Sequence, residues 1–186
     1  MLNCYFIRHG FAKHNEAYRK YGYSIYNDPK YEDAGLCQLG ITQAKNTKSQ
    51  LDNINFDYVF CSPLVRCIQT CCHLIDGKDI VLDDNLTELQ SHICNKRKHI
   101  DDLIQYVDLN HKNNVFDFSS LKKNFEYNTD HQGKLSEFHE KLLSLKTNRP
   151  INILIVSHCD WMNKYFQYFH DKKIIASNCE IVQVCL

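Results

Sequence analysis

Net charge is missing from this chain: 22 lysines and arginines meet 22 aspartates and glutamates over 186 residues. Without a global field, general attraction to nucleic acid or to an anionic membrane is excluded, and any anion binding must be local. Long apolar runs are missing too. No stretch approaches the ~18 residues of a membrane span, and Met1–Ile7 lacks the basic segment and long apolar core of a secretory signal. Glycine (6) and proline (3) are scarce. That scarcity reads as compositional drift toward Asn, Lys, Ile and Tyr, and no linker, repeat or low-complexity segment divides the chain. Ten cysteines are present, yet none falls in the paired Cys-x-x-Cys spacing of structural zinc. Cys67, Cys71, Cys72 and His73 share one expected helix, with Cys67 and Cys71 facing the core, and Cys94 lies near His92 and His99 without a ligand spacing. No metal is expected. Ten thiols without a signal peptide point to a reducing compartment, so a cytoplasmic location is expected.

What is present suits one domain, 1–186, with a full core. Hydrophobic residues make up 44% and aromatics 12%, ordinary for a globular protein. Three apolar runs end in cationic or imidazole side chains. Cys4–Ile7 runs into Arg8-His9-Gly10, Phe56–Phe60 into Cys61-Ser62-Pro63-Leu64-Val65-Arg66, and Ile151–Val156 into Ser157-His158. Such runs read as buried strands, and open α/β sheets bind ligands beyond the carboxyl ends of their strands. Arg8, His9, Arg66 and His158 would therefore gather around one point. That cluster repels itself unless it holds a multiply charged anion, which makes phosphate chemistry the first reading.

The remaining pattern predicts strands at Asn3–Ile7, Asp57–Cys61, Ile80–Leu82, Ile151–Val156 and Cys179–Cys185. Helices are expected from Thr42 to about Leu51, from Pro63 to about Leu74 behind a Ser62 N-cap, and over Lys96–Tyr106, Lys134–Leu145 and Trp161–Phe169. Phe11–Glu32 is polar and tyrosine-rich without a clean period, so it reads as an irregular loop with a helical turn near His14–Lys20. Alternating strands and helices predict a three-layer α/β/α sandwich around a mostly parallel sheet.

Five sequence boxes narrow the reading. Arg8-His9-Gly10 followed by Asn15 resembles the Arg-His-Gly-x-x-x-x-Asn signature of the histidine phosphatase superfamily, in its phosphoglycerate mutase-like branch. Asp33-Ala34-Gly35-Leu36-Cys37-Gln38-Leu39-Gly40 is similar to that family's second box, and Ser62-Pro63-Leu64-Val65-Arg66-Cys67-Ile68-Gln69-Thr70 to its third. Leu86-Thr87-Glu88-Leu89 and Val156-Ser157-His158 resemble the last two, in family order. The resemblance implies a phosphoglycerate mutase-like fold and a metal-independent reaction with no cofactor. It makes His9 the nucleophile, held by a backbone carbonyl near Gly10 in the tautomer whose free lone pair faces substrate. Arg8 and Arg66 would grip phosphoryl oxygens. His158 would donate to an equatorial oxygen, and Asn15 would donate its amide to the same phosphate unless it serves only as a turn residue. Glu88 would protonate the leaving oxygen and then activate water, which requires a raised pKa. Short bacterial phosphohistidine phosphatases resemble this chain but lack such an acid, so Glu88 favours a phosphoester.

Downstream, His92–Arg97, Ile100, Leu103 and Val115–Phe118 resemble a plant and fungal branch whose corresponding segment covers the pocket. A lid-like insertion over about 89–133 is expected, with Lys96 or Arg97 reading a second anionic group on the substrate; an ordinary solvated basic helix start is the alternative. Cys37 stands where the family usually has Thr, removing a capping hydroxyl, and Cys159 stands where Gly is common. The leading expectation is a phosphatase acting on a small phosphorylated metabolite through phospho-His9. A phosphoglycerate mutase comes second, because its family members usually carry added enclosing segments. A non-catalytic phospho-ligand-binding domain comes third. Oligomeric state is left open.

Overall fold

Alternation along the central strands sets the architecture of the computed structural model, which describes residues 1–126 and 129–186. In β1 (Leu2–Arg8), Leu2, Cys4 and Phe6 point to one core and Ile7 to the other, as a strand buried on both faces requires. Five further strands complete one sheet: β2 (Tyr58–Cys61), β3 (Asp79–Asp83), β4 (Val115–Ser120), β5 (Ile151–Ser157) and β6 (Ile181–Cys185), in spatial order β4-β3-β2-β5-β1-β6. All neighbours pair in parallel except β6, which runs antiparallel to β1 at the edge.

The described residues form six helices: α1 (Lys13–Tyr21), α2 (Gln38–Lys48), α3 (Val65–Leu74), α4 (Ile100–Asn110), α5 (His131–Ser144) and α6 (Cys159–His170). Leu135, Phe138 and Leu142 of α5 and Trp161, Met162 and Tyr165 of α6 pack on one face. Cys67, Ile68 and Cys71 of α3 and Leu103 and Val107 of α4 pack on the other. The three-layer α/β/α sandwich expected from the sequence is what forms.

Several boundaries differ. The 11–32 stretch expected to be irregular contains the full helix α1, followed by short 3₁₀ turns at Tyr23–Asn27 and Pro29–Tyr31. Only His14 and Ala17 of α1 are buried, too few to print a helical period in the sequence. Helix α2 begins at Gln38, with Gly40 inside it, and α4 begins at Ile100, leaving Lys96 and Arg97 in a separate segment. Ser62 does not cap α3, whose N-cap is Leu64 with no side-chain bond. Val115–Ser120 is an edge strand of the sheet and α4 belongs to its helical layer, so most of the expected lid is sandwich. Residues 127 and 128 of that segment lie outside the described residues.

The first three sequence boxes prove to be one interlocked unit. A Cβ on Gly40 would sit 2.1 Å from Phe11 O, and one on Gly10 would sit 2.6 Å from Gly40 O, so only glycine lets α2 approach the turn after β1. The Gly10 N–H donates to Thr70 Oγ1, and Leu36 N–H donates to Gln69 Oε1. Asp33 Oδ1 accepts from Val65 N–H at 2.8 Å, placing a carboxylate at the positive end of α3 beside Arg66. Cys37 is the N-cap of α2 and makes no capping bond; its thiol donates to Phe11 O instead.

Candidate active site

Three parallel strands, β1, β5 and β2, end side by side, and the residues just past those ends meet. His9 follows β1, His158 follows β5, and Arg66 sits in the first turn of α3 behind β2. The His9 and His158 rings lie 5.1 Å apart between centroids. Arg66 Nε–H donates to His9 Nε2 at 3.3 Å, and its Nη2 lies 3.3 Å from His158 Nδ1. All three side chains are buried, with at most 3% exposure.

The hydrogen bonds assign the tautomers. His9 Nδ1 is 2.8 Å from Gly10 O, a carbonyl that can only accept. Nδ1 therefore carries the proton and Nε2 keeps its lone pair, which the Arg66 donor also requires. Burial first, then the Arg66 and Arg8 guanidiniums, hold His9 well below the usual imidazole range, so the ring is neutral. His158 is likewise depressed by burial, then by Arg66 and His9. Its Nε2 lies 2.8 Å from Ser62 Oγ, and with Nδ1 accepting from Arg66 that contact is a donation to the serine.

The cavity beside this cluster has a volume of about 280 Å³. Arg8, His9, Asn15, Arg66 and Glu88 line it, so five of the expected residues share one pocket. Arg8 Nη1 donates to Ala176 O, while its buried Nε has no partner. Asn15 Oδ1 accepts from Ala12 N–H at 3.1 Å, which turns the amide NH₂ away from that contact. Glu88 is half-buried. Its carboxylate accepts from Leu89 N–H at 2.9 Å and from Trp161 N–H at 3.1 Å near the start of α6. Burial raises its pKa, and the neighbouring Asp160 carboxylate raises it further.

Three expected contacts are placed elsewhere. His158 sits behind the cavity wall with both ring nitrogens engaged, so in this structure it orients Arg66 and does not face the pocket. Arg97 is buried on Asp84, at 2.8 and 3.1 Å, and also donates to Lys98 O and Lys122 O. Lys96 forms an exposed ion pair with Glu32 at 3.3 Å. Neither lines the pocket, because the 3₁₀ turn Ile93–Asn95 carries the chain past the rim before they are reached. Of the expected lid, Gln90, His92, Cys94 and Asn95 form wall. Asn95 and Cys94 have a task the sequence did not disclose: Cys94 O and Asn95 Oδ1 accept from Arg66 Nη1 and Nη2 at 2.9 and 2.7 Å.

The arginines sort themselves by partner. Arg97 and Arg149 face carboxylates, whereas neither Arg8 nor Arg66 has an acidic partner among the described residues. Both bond to carbonyl, amide or imidazole acceptors, which orient a guanidinium without neutralising it. The pocket floor thus carries two guanidinium charges that no carboxylate among the described residues neutralises. Sequence reasoning also missed His14, Tyr18, Tyr23 and Tyr26, which line the same cavity. Among the described residues, no three His, Cys, Asp or Glu side chains cluster to hold a metal ion, and no helix is long and apolar enough to cross a membrane.

Comparison with known proteins bears on the family and the fold. The family profile of the histidine phosphatase superfamily (branch 1) matches residues 4–184. The chain belongs to that superfamily. Its fold is shared with phosphoglycerate mutase from Bacillus anthracis, at TM-score 0.66 and 16% identity, over 98% of this chain and 86% of that one. Phosphoserine phosphatase from Entamoeba histolytica, solved with 3-phosphoglyceric acid, matches at TM-score 0.61 and 20% identity, over 98% and 90%. A protein described as an alpha-ribazole-5'-P phosphatase from Escherichia coli matches at TM-score 0.60 and 23% identity, over 90% and 79%. A search of curated proteins finds no match.

Proposed function

We propose that this protein is a metal-independent phosphatase that hydrolyses a small phosphoester through a phosphohistidine on His9. One observation carries the reading: a neutral imidazole with its Nε2 free of a proton lies against Arg66 and shares its pocket with Arg8, two guanidiniums that have no carboxylate partner among the described residues. Such a floor stabilises a transferring phosphoryl group more than it stabilises anything uncharged.

The electron count is simple. Once Arg66 Nε–H turns from His9 Nε2 to a phosphoryl oxygen, the Nε2 lone pair attacks phosphorus while the P–O bond to the leaving group breaks, and Glu88 delivers its proton to the departing oxygen. The Glu88 carboxylate then takes a proton from water, whose oxygen attacks the phosphohistidine. The N–P bond breaks, its electrons return to Nε2, and inorganic phosphate leaves. Arg8 and Arg66 hold the equatorial oxygens through both steps, Asn15 offers its amide to the same group, and His158 with Ser62 keeps Arg66 aimed. Ten unpaired cysteines support action in a reducing, cytoplasmic compartment, on a small phosphorylated metabolite.

The test is turnover of p-nitrophenyl phosphate in EDTA by wild type and by His9→Ala. Metal-independent hydrolysis, reduced about ten-thousandfold or more in the variant, is expected. Undiminished activity in His9→Ala would remove the nucleophile and the reading with it. Incubation of 3-phosphoglycerate with a bisphosphoglycerate primer separates the mutase alternative, which predicts phosphoryl return to the glycerate in place of phosphate release.

A further inference from the structure

The catalytic floor does not account for the outer half of the cavity. Tyr18 and Tyr26 lie parallel there, with centroids 5.0 Å apart and an interplanar angle of 0°. Tyr23 meets Tyr26 edge-on at 5.4 Å, and His92 approaches both at 5.4 and 5.5 Å. The Tyr23 hydroxyl and His92 Nε2, 3.0 Å apart, tie the 3₁₀ turn after α1 to the wall across from it. Tyr18 and Tyr23 keep 42% and 60% of their surface exposed around the opening. His14 joins the two halves, its ring 6.1 Å from His9 and 5.9 Å from Tyr26, with a buried Nδ1 that has no partner.

Charge separates the halves as clearly as shape does. Among the described residues lining the cavity, the only cationic side chains are Arg8 and Arg66, both at the phosphate floor, and the carboxylates are Glu88 and Asp160. Asp160 is held by the Gln90 amide at 2.8 Å. Lys96, at the nearby 3₁₀ turn, is paired with Glu32. A second carboxylate or phosphate on the leaving group would meet tyrosines and an aspartate with no cation to receive it. A flat ring would meet aromatic faces and edges.

We infer that the outer half is an aromatic subsite, and that the preferred substrate is a phosphomonoester whose leaving group carries a planar, neutral or cationic ring. The inference deepens the phosphatase reading by naming the leaving group, and it rests on that reading for turnover. It does not rest on it for binding. A cavity of about 280 Å³, near the lower limit for small-molecule sites, accommodates a phosphoryl group and one ring.

Calorimetric titration with three phosphonates, which cannot be hydrolysed at the P–C bond, tests the subsite directly. Benzylphosphonate and cyclohexylmethylphosphonate present similar apolar bulk and differ in aromaticity, while phosphonoacetate adds a carboxylate. Benzylphosphonate is expected to bind about fivefold tighter than the cyclohexyl compound, and phosphonoacetate more weakly than either. Because Tyr18 and Tyr23 are exposed, Tyr18→Ala/Tyr23→Ala should fold, and in it the benzyl-to-cyclohexyl ratio should fall toward one. A wild-type ratio of one, or tightest binding of phosphonoacetate, overturns the subsite. Turnover of 2-phenylethyl and 2-cyclohexylethyl phosphate separates the two claims. Aromatic preference in binding without hydrolysis of any phosphomonoester leaves the subsite standing and removes the phosphatase. His9-dependent hydrolysis with no aromatic preference does the reverse.

Discussion

The floor and the outer wall of one small cavity are built in opposite ways. The floor is built on His9 and Arg66, with His158 behind them; all three are almost fully buried, lie beyond strand ends, and are joined by hydrogen bonds that fix each imidazole tautomer. The wall consists of Tyr18, Tyr23, Tyr26 and His92, half-buried or exposed and carried by a helix end and short 3₁₀ turns. Strand ends anchored in a packed sheet hold atoms to the tolerance that bond-making needs. Turns on the surface hold faces, which is enough to choose among leaving groups. In this account the rate belongs to the floor and the selectivity to the wall.

Breaking the floor should therefore reduce turnover whichever substrate is offered. Arg66→Met removes the donor proposed to hold the transferring phosphoryl group and is expected to lower kcat/KM about a thousandfold on alkyl and aryl phosphates alike. It also strands the buried Cys94 O and Asn95 Oδ1 acceptors, so a loss of about 1–3 kcal/mol of stability should accompany it in urea titrations. A variant that discriminates between substrates would blur the division.

Glu88 stands at the boundary and should depend on the leaving group. Glu88→Gln is expected to lose about a hundredfold on alkyl phosphates, where the departing alkoxide needs a proton, and much less on p-nitrophenyl phosphate. The pH profile has a fixed sign. His9 is held low by burial and by its arginines, so the acidic limb of kcat/KM lies below the ordinary imidazole range. Glu88 is raised by burial and by Asp160 and must be protonated to act, so activity falls as pH rises through its elevated pKa. That basic limb should vanish in Glu88→Gln, and an unchanged limb would assign it to another group.

The smallest effect concerns support. Asp33 holds the start of α3 in a buried site with one oxygen unpartnered. Burial pushes it up to about 6, from 3.8 for an ordinary aspartate. A carboxyl raised on folding contributes stability fully below the unfolded value of 3.8, and that contribution is lost as pH rises through about 6. Asp33→Asn cannot titrate and suits the left-handed backbone at this position, φ 45°. Relative to wild type, the variant should gain on the order of 2–3 kcal/mol between pH 4 and pH 7. Parallel stability curves would show that the carboxyl is not the buried group described.

The floor was legible in the sequence because buried strands advertise themselves. The runs in β1, β2 and β5 are apolar on both faces, and Arg8, His9, Arg66 and His158 stand at or just past their ends. The wall was not legible. Tyr18, Tyr23 and Tyr26 were visible as a tyrosine-rich stretch, but α1 buries so little that no period marked it as a helix. Strand β4 escaped for a related reason: as a half-exposed edge strand with Asp117 between Phe116 and Phe118, it shows no buried run, and its residues fall within the expected lid. Arg97 was expected on a second anionic group of the substrate or else in solvent, and it is in neither place, because its partner Asp84 lies 13 residues upstream with no local signal. The support given to Arg66 by Asn95 and Cys94 depends on a turn that periodicity cannot reveal.

The central claim is that the phosphoryl group passes through Nε2 of His9. Wild-type enzyme mixed with a slowly hydrolysed phosphoester, quenched in alkali where phosphohistidine survives, and digested for mass spectrometry reports on this directly. One phosphoryl group on the peptide bearing His9 is the predicted result, absent from His9→Ala. A phosphoryl group on His14, His158 or a cysteine, or turnover without any labelled peptide, would contradict it.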